Sequence, residues 1–572
     1  MNLLETSRHK AQQWLNSPTI DEDSKKEIKK LLDAEDGTEL INAFYHDLEF
    51  GTGGLRGLMG AGSNCLNRYT VGIATQGLAN YLKKSFSGEI KVAIAYDSRN
   101  NSSSFASTAA HVFSANGIAV HLFSELRPTP MLSFAIRELG CQSGVVITAS
   151  HNPKEYNGYK AYWNDGAQLV PPHDKNVIKE IKAIKSFEEV KFAPNASLIK
   201  AVSPDAEESY YRRVIDILPN KDIILKESNI PIVYSSLHGS GIAMVPECLK
   251  RLGFTNITVV EEQRIPDGNF PTVKSPNPEE HSAMEKAMQW ATKVNADCLM
   301  ATDPDADRVG IGIKDDKGGY FLLNGNQAFS LLMYFLMRHD KNPSEAYIAK
   351  TIVTTELLDA MAKQHQVECV NVLTGFKYIA ELLREREGKK RFMAAGEESY
   401  GYLTGDFVRD KDAVSACAFF AAMAAAARHE GKTLFQWLLH IYCTYGFYKE
   451  GLVNVVKKGA EGQLQIKEIM QNFRKNPPVA FCGERVARIL DYQSSEEKSN
   501  GTITKLNFPT SDVLQFYTEK GTKISVRPSG TEPKIKFYIA VHAPLTSPAE
   551  YEKVSLELEN KIEAIGKIMV NG

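Results

Sequence analysis

No apolar run in this 572-residue chain reaches the roughly 18–20 residues that span a bilayer. The most apolar stretch, AVSACAFFAAMAAAA from Ala413 to Ala427, lies between Asp412 and Arg428 and reads as a buried, close-packed helix, with Asp412 as its N-cap. The N-terminus, MNLLETSRHKAQQWL, is polar and amphipathic and lacks a secretory apolar core. A large charge of one sign is missing too. The net charge is −2, with 43% hydrophobic and 24% charged residues, so the basic footprint of a nucleic-acid binder is absent. None of the eight cysteines forms a CxxC pair, and a chain this long needs no disulfide staples. Low-complexity sequence is lacking as well. The expectation is a cytoplasmic protein of roughly three to five domains, with no membrane or nucleic-acid partner and no obligate protein partner.

What is present is a rhythm. Residues 1 to 45 read as helices, with an acidic start at DEDSKKEIKKLLDAE. A glycine-rich loop, FGTGGLRGLMGAG, follows from Phe50 to Gly62. Short apolar strands then alternate with helices, as in KVAIAYDSR, GIAVHLF and GVVITAS. The pattern restarts near NIPIVYSSLHGSG and again near AYIAKTIVTT. Such alternation predicts α/β domains with parallel or mixed sheets. After the polar stretch KKGAEGQLQ, read as a flexible hinge, KLNFPTSDVLQFYTEKGTKISVRPSGTEPKIKFYIAVHA alternates apolar and polar residues, predicting antiparallel strands. A helix closes the chain. The expected units are 1–45 (helical extension), 46–207, 208–318 and 319–455 (α/β), and 456–572 (smaller α+β).

Four loops stand out chemically. TASHNP places Ser150 at the C-terminal end of an apolar strand, where α/β sheets put their ligands. Read locally, the same residues make a good polar turn. They are not G-x-S-x-G, and His151 is too close in sequence to serve as a triad base. In TDPDADR, the alternating Asp303, Asp305 and Asp307 would face one way if the segment were extended. Three converging carboxylates repel unless a cation joins them, and hard oxygen ligands favour Mg²⁺ or Ca²⁺. An EF-hand is excluded, because its sixth and twelfth positions hold Arg308 and Lys314. RPSGTEPK offers the fork of Arg527 with the hydroxyls and N–H groups of Ser529, Gly530 and Thr531, a set suited to phosphate and also to a plain hairpin turn. AAGEESYGYLTGD presents Glu397 and Ser399 between glycines, suited to sugar hydroxyls. TGFKYI sets Lys377 after a strand-like run, beside Thr374 and Gly375, and VRDKDA sets Arg409 and Lys411 before the apolar helix.

In this order the loops resemble those of the α-D-phosphohexomutase family. TASHNP resembles its phosphoserine loop, DPDADR its metal loop, GEESYG its sugar loop and RPSGTEPK its phosphate loop. GTGGLRG, NGYK and PDGNFPTVKSPNPE add to the likeness, which runs from about residue 45 onward. The resemblance implies three α/β domains and a C-terminal α+β domain around a central cleft. It also implies a phosphoryl group carried on Ser150, and one Mg²⁺ held by Asp303, Asp305, Asp307 and a phosphoserine oxygen. The substrate would be a sugar phosphate, glucose 1-phosphate becoming glucose 6-phosphate, with glucose 1,6-bisphosphate as intermediate and activator. Arg527, Ser529, Gly530 and Thr531 would grip the non-reacting phosphate, while Glu397, Ser399, Thr374 and Gly375 meet the sugar. Lys160 and Lys377 are candidates for proton transfer, their pKa lowered by neighbouring cations. Arg56 and Arg308 would stabilise charge, and His151 would shape the serine loop.

Gly53 stands where many phosphoglucomutases have Ser, and Pro304 and Ala306 stand where many relatives have Gly, predicting a stiffer metal loop. The alternatives are a phosphopentomutase, a phosphomannomutase, a metal-dependent sugar phosphatase and a silent sugar-phosphate sensor.

Overall fold

The computed structural model describes residues 3–51, 53–457, 459–529 and 534–571. The chain forms two compact units. One contains Met1–Asn324, Ala380–Ala394 and Ser399–Gly431; the other contains Gly325–Ile379, Ala395–Glu398 and Lys432–Gly572.

The first unit opens with helices Leu3–Asn16, Glu22–Asp33 and Thr38–Phe44. Asp21 caps the second by accepting from Ser24 N at 2.8 Å, and Tyr69 Oη donates to the same carboxylate at 2.6 Å. Trp14 packs edge-on against Phe44, Tyr69 and Phe187, with centroids 5.6, 5.7 and 5.0 Å away. The terminal helices therefore share a core with the domain that follows.

The first sheet runs in the order Gly54–Leu58, Tyr156–Trp163, Ser143–Ile147, Lys91–Tyr96, Ala119–Leu122, Ile199–Ala201. The last four strands are parallel and the first two pair antiparallel. Ser143–Ile147 is buried along its whole length, which is why it reads as an unbroken apolar run. The second sheet runs Tyr320–Leu323, Val309–Lys314, Cys298–Thr302, Ile232–Ser235, Ile257–Val259 and is also mixed. The apolar stretch is the helix Ala413–His429, buried from Ala413 to Ala427. Asp412 caps it, accepting from Val414 N and Ser415 N at 3.0 Å each. Among the described residues no helix is long and apolar enough to cross a membrane.

In the second unit the helix Gly325–His339 precedes a parallel pair, Ala346–Thr351 with Glu368–Val372. An antiparallel sheet follows, in the order Phe447–Val456, Lys534–Ala543, Lys523–Pro528, Leu514–Thr518, Glu484–Asp491, Glu496–Ser499, Thr502–Lys505, with Ala480–Phe481 on Glu484–Asp491. Lys534–Ala543 alternates buried and half-buried residues from Lys534 to Val541, the mark of a sheet covered on one face. Helices Gly459–Lys475 and Tyr551–Asn571 pack on it. The stretch KKGAEGQLQ, expected to be a hinge, is helical from Gly459 onward. Its Ala, Glu, Gln and Leu are good helix formers, and polarity alone does not make a linker.

Candidate active site

Ser150 lies just past the strand Ser143–Ile147, buried, with φ +53°. That left-handed backbone is costly for a residue with a Cβ, so neighbours must hold it. Ser150 N donates to Thr148 Oγ1 at 2.8 Å. Ser150 Oγ donates to Asp303 Oδ2 at 2.8 Å and lies 3.1 Å from His151 Nδ1. The hydroxyl has one proton; with that proton on the Asp303 side, His151 donates from Nδ1. Burial, then Arg308 and Arg56, pushes the His151 imidazole well below its ordinary pKa, so it is neutral at neutral pH.

The three aspartates sit in the turn joining the antiparallel strands Cys298–Thr302 and Val309–Lys314. They converge, but not through an extended segment as expected. The loop folds back on itself. Ala306 N donates to Asp303 O at 2.9 Å, Ala306 has φ +46°, and Asp303 Oδ1 accepts from the N–H groups of Asp307 and Arg308 at 3.1 and 3.0 Å. Pro304 O accepts from both Ser240 N and Ser240 Oγ, at 2.8 and 2.7 Å, and Thr129 Oγ1 donates to Asp305 Oδ2 at 3.0 Å. The carboxylate oxygens of Asp303, Asp305 and Asp307 lie within 4.8 Å of one another. Among the described residues, buried Asp305 Oδ1 and Asp307 Oδ1 have no hydrogen-bond partner. Orphaned, converging, hard oxygen donors fit a divalent cation such as Mg²⁺.

Cations flank the triad. Lys160 Nζ donates to Asp305 Oδ2 at 2.7 Å and to Asp307 Oδ2 at 3.3 Å. Lys411 Nζ lies 3.1 Å from Asp307 Oδ2 and 3.2 Å from Asp410 Oδ1. Asp410 in turn accepts from Tyr162 Oη at 2.7 Å and Gln168 Nε2 at 2.9 Å. The expectation of a lowered lysine pKa is reversed at Lys160. Burial pulls it down, but Asp305 and Asp307 outweigh burial and hold it above its ordinary value. Arg56, on the edge strand, donates to Asn152 Oδ1 at 3.1 Å. Arg308 pairs with Glu279, which takes up part of the charge expected to meet an anion. Ser399 is half-buried next to Tyr400, whose carbonyl accepts from Val309 N at 3.1 Å.

In the second unit, buried Glu397 accepts from Gly375 N at 3.0 Å, so the sugar loop and the TGFKYI loop meet. Among the described residues Thr374 Oγ1 is buried without a hydrogen-bond partner, and Lys377 Nζ lies 5.0 Å from the Tyr378 ring. Arg527 sits half-buried on the strand Lys523–Pro528, and Ser529 N donates to Lys534 O at 2.7 Å. Gly530 and Thr531 lie outside the described residues.

Models of the phosphoglucomutase/phosphomannomutase α/β/α domains I, II and III match residues 47–188, 208–318 and 324–445 in succession. The chain belongs to the phosphoglucomutase/phosphomannomutase family. It is 37% identical to a phosphoglucomutase of Staphylococcus haemolyticus over 94% of this chain and 97% of that one. A Staphylococcus aureus phosphoglucomutase is also 37% identical, over 90% and 94% of the two chains. In fold it is similar to the open form of parafusin, a Paramecium phosphoglucomutase, with a TM-score of 0.69 at 18% identity over 91% and 96% of the chains. Three consecutive α/β domains and a β-rich C-terminal domain are thus the architecture this phosphohexomutase shares.

For this member of the phosphoglucomutase/phosphomannomutase family, the structure brings Ser150, His151, Lys160, the three aspartates and Arg308 together, with Arg56 on the serine loop. Residues that sequence reasoning passed over join them. Thr129 and the hydroxyl of Tyr162 carry no motif of their own, and Asp410 stands inside VRDKDA. Lys411 was visible in VRDKDA but read only as the lead into a helix. Arg99, in the turn after Lys91–Tyr96, reads in sequence as an ordinary polar residue. Gly53 has φ +103°, a left-handed conformation that suits glycine better than a residue with a Cβ.

Proposed function

We infer that the protein is a phosphoglucomutase, interconverting glucose 1-phosphate and glucose 6-phosphate through a phosphoserine at Ser150 and a glucose 1,6-bisphosphate intermediate. The observation that carries this is the pose of Ser150. A hydroxyl buried at a strand end, 2.8 Å from a convergent carboxylate triad, is where a phosphoryl group could be both carried and neutralised. The two staphylococcal relatives, named phosphoglucomutases and aligned over nearly their full length, support glucose as the sugar.

In the proposed cycle a sugar hydroxyl oxygen forms a bond to the phosphorus on Ser150 as the phosphorus–Oγ bond breaks. The hydroxyl proton passes to a nearby base, and the second phosphate later returns to Ser150 in the reverse sense. Asp303, Asp305 and Asp307 would hold Mg²⁺, which when bound would supply positive charge against the transferring phosphoryl group. Neutral His151 and the lysines Lys160, Lys377 and Lys411 are the proton-handling candidates. Arg56 and Arg308 would steady charge. Glu397, Ser399, Thr374 and Gly375 are assigned to the sugar, and Arg527, Ser529, Gly530 and Thr531 to the idle phosphate. The proposed setting is the cytoplasm, consistent with free cysteines throughout.

The test is turnover of glucose 1-phosphate with Mg²⁺ and trace glucose 1,6-bisphosphate, beside Ser150→Ala, with ribose 1-phosphate and mannose 1-phosphate as rivals. Fast glucose turnover that requires Ser150 is expected. Brisk ribose or mannose turnover without glucose turnover would move the substrate, and activity that survives Ser150→Ala would overturn the mechanism.

A further inference from the structure

We propose that Arg99 is the positioning residue that sets the backbone of Ser150 and so aims its hydroxyl at Asp303; this rests on Ser150 being the phosphoryl carrier. Arg99 stands in the turn that follows the strand Lys91–Tyr96, next to the strand that ends at the serine loop. Its side chain is wholly buried, and its charge faces Asp97 at 3.4 Å, with Asp305 and Asp303 acting on it from farther off. Its four hydrogen bonds from the guanidinium tips all go to backbone carbonyls of the serine loop. Nη2 reaches Ser150 O at 2.6 Å and also Asn152 O, and Nη1 reaches Pro153 O at 2.9 Å and Tyr156 O at 3.0 Å. One planar fork thus spans seven residues of chain.

The fork is itself held. Asp97 Oδ2 lies 3.4 Å from Arg99 Nε, with both side chains fully buried. Asp97 Oδ1 accepts from Arg99 N at 2.9 Å and from Ser102 Oγ at 2.7 Å. The Phe270 ring lies 5.0 Å from the guanidinium carbon. Such an arrangement is more than a loop of this length needs for cohesion. What it matches is the left-handed φ of +53° at Ser150, which an L residue leaves unless its flanking groups are pinned. Ser150 N is pinned by Thr148 and Ser150 O by Arg99, so the peptide groups on both sides of the nucleophile are fixed. A lysine cannot replace the fork, because an ammonium lacks the planar donors that reach four acceptors at once. Displacing a reacting atom by about 1 Å costs about 10²-fold in rate.

The experiment compares full-length wild type with Arg99→Lys. The readouts are kcat and KM for glucose 1-phosphate, the melting temperature, and the phosphoserine fraction by intact mass after treatment with glucose 1,6-bisphosphate. The expected result is a kcat per phosphoserine-bearing molecule lowered about 10²-fold with KM within about twofold, or a folded protein that no longer takes up phosphate. A purely structural role would lower the melting temperature and leave kcat per phosphorylated molecule at the wild-type value; that result overturns the proposal. Should Arg99→Lys fail to fold, Asp97→Asn and Thr148→Val take its place, and unchanged kcat in both overturns it equally. A wild type inert toward every sugar phosphate would instead sink the mutase reading, whereas an active wild type matched by Arg99→Lys sinks only the role of Arg99.

Discussion

The two units each bury a cluster of charges, and they settle it differently. In the first, Asp303, Asp305 and Asp307 converge, and Lys160 and Lys411 occupy some of their oxygens while Asp305 Oδ1 and Asp307 Oδ1 stay open. In the second, Lys350 Nζ meets Asp359 Oδ2 at 3.0 Å and Lys523 Nζ meets Glu356 Oε1 at 3.4 Å. Among the described residues Glu450 Oε1 is buried without a hydrogen-bond partner, and burial pushes its carboxyl up to about 7, although Thr355, Lys523 and Asn326 pull the other way. A single buried carboxyl can answer desolvation by taking a proton. Three carboxylates aimed at one point, already engaged by lysines and backbone N–H groups, fit a divalent cation instead. Burial of charge alone therefore does not distinguish the two clusters; convergence of acceptors that fit a cation does.

That contrast can be broken in four ways. The largest effect belongs to the nucleophile beside the triad: Ser150→Ala should lower kcat by at least about 10³-fold with an unchanged melting temperature, measured by coupled assay and calorimetry. Next, Mg²⁺ at about a hundredfold over its Kd should stabilise the wild type by about 2.7 kcal/mol, and Asp305→Asn should lose most of that gain in thermal melts. An equal shift in the variant would mean that the ion binds elsewhere. Third, Lys350→Met should destabilise the protein by about 2 kcal/mol in urea titrations, with or without Mg²⁺. That is less than for a fully buried pair, because the Asp359 side chain is 39% exposed. Dependence on Mg²⁺ would erase the distinction between the clusters.

The smallest effect is a pH slope. Because Glu450 titrates near 7 in the fold and near 4.3 when unfolded, the native state holds an extra proton between those values. Its contribution to stability is present below about 4.3 and is lost as pH rises through about 7. Glu450→Gln should remove that slope, so urea midpoints at pH 5 and pH 8 should lie closer together in the variant. Parallel curves for wild type and variant would show that Glu450 does not titrate there.

Much of this was legible in the sequence because it is local. Alternation along KIKFYIAVHA, the unbroken SGVVI, the alanine-rich helix with its Asp412 cap, and the loops between strands all follow from period and turn chemistry. Two local readings failed for the same reason. DPDADR reads as extended and KKGAEGQLQ as a linker, yet the first folds back and the second is helical from Gly459, because composition does not reveal which backbone hydrogen bonds a segment will make. Ser150 and the three aspartates stand in two separate loops, and nothing in their spacing says that 153 residues of separation close to 2.8 Å.

By itself the sequence determined the order of the loops, the chemistry each can offer, and the alternation of strand and helix that brings them to strand ends. Tertiary structure alone decided that Arg99 grips the serine loop, that Thr129 and Ser240 brace the metal loop, and that Lys160 sits on two carboxylates and is held protonated rather than freed. The reason is physical. Side-chain type and backbone periodicity are properties of neighbours along the chain, whereas the pKa of a lysine and the backbone angle of a serine are set by whatever packing brings within about 3–4 Å.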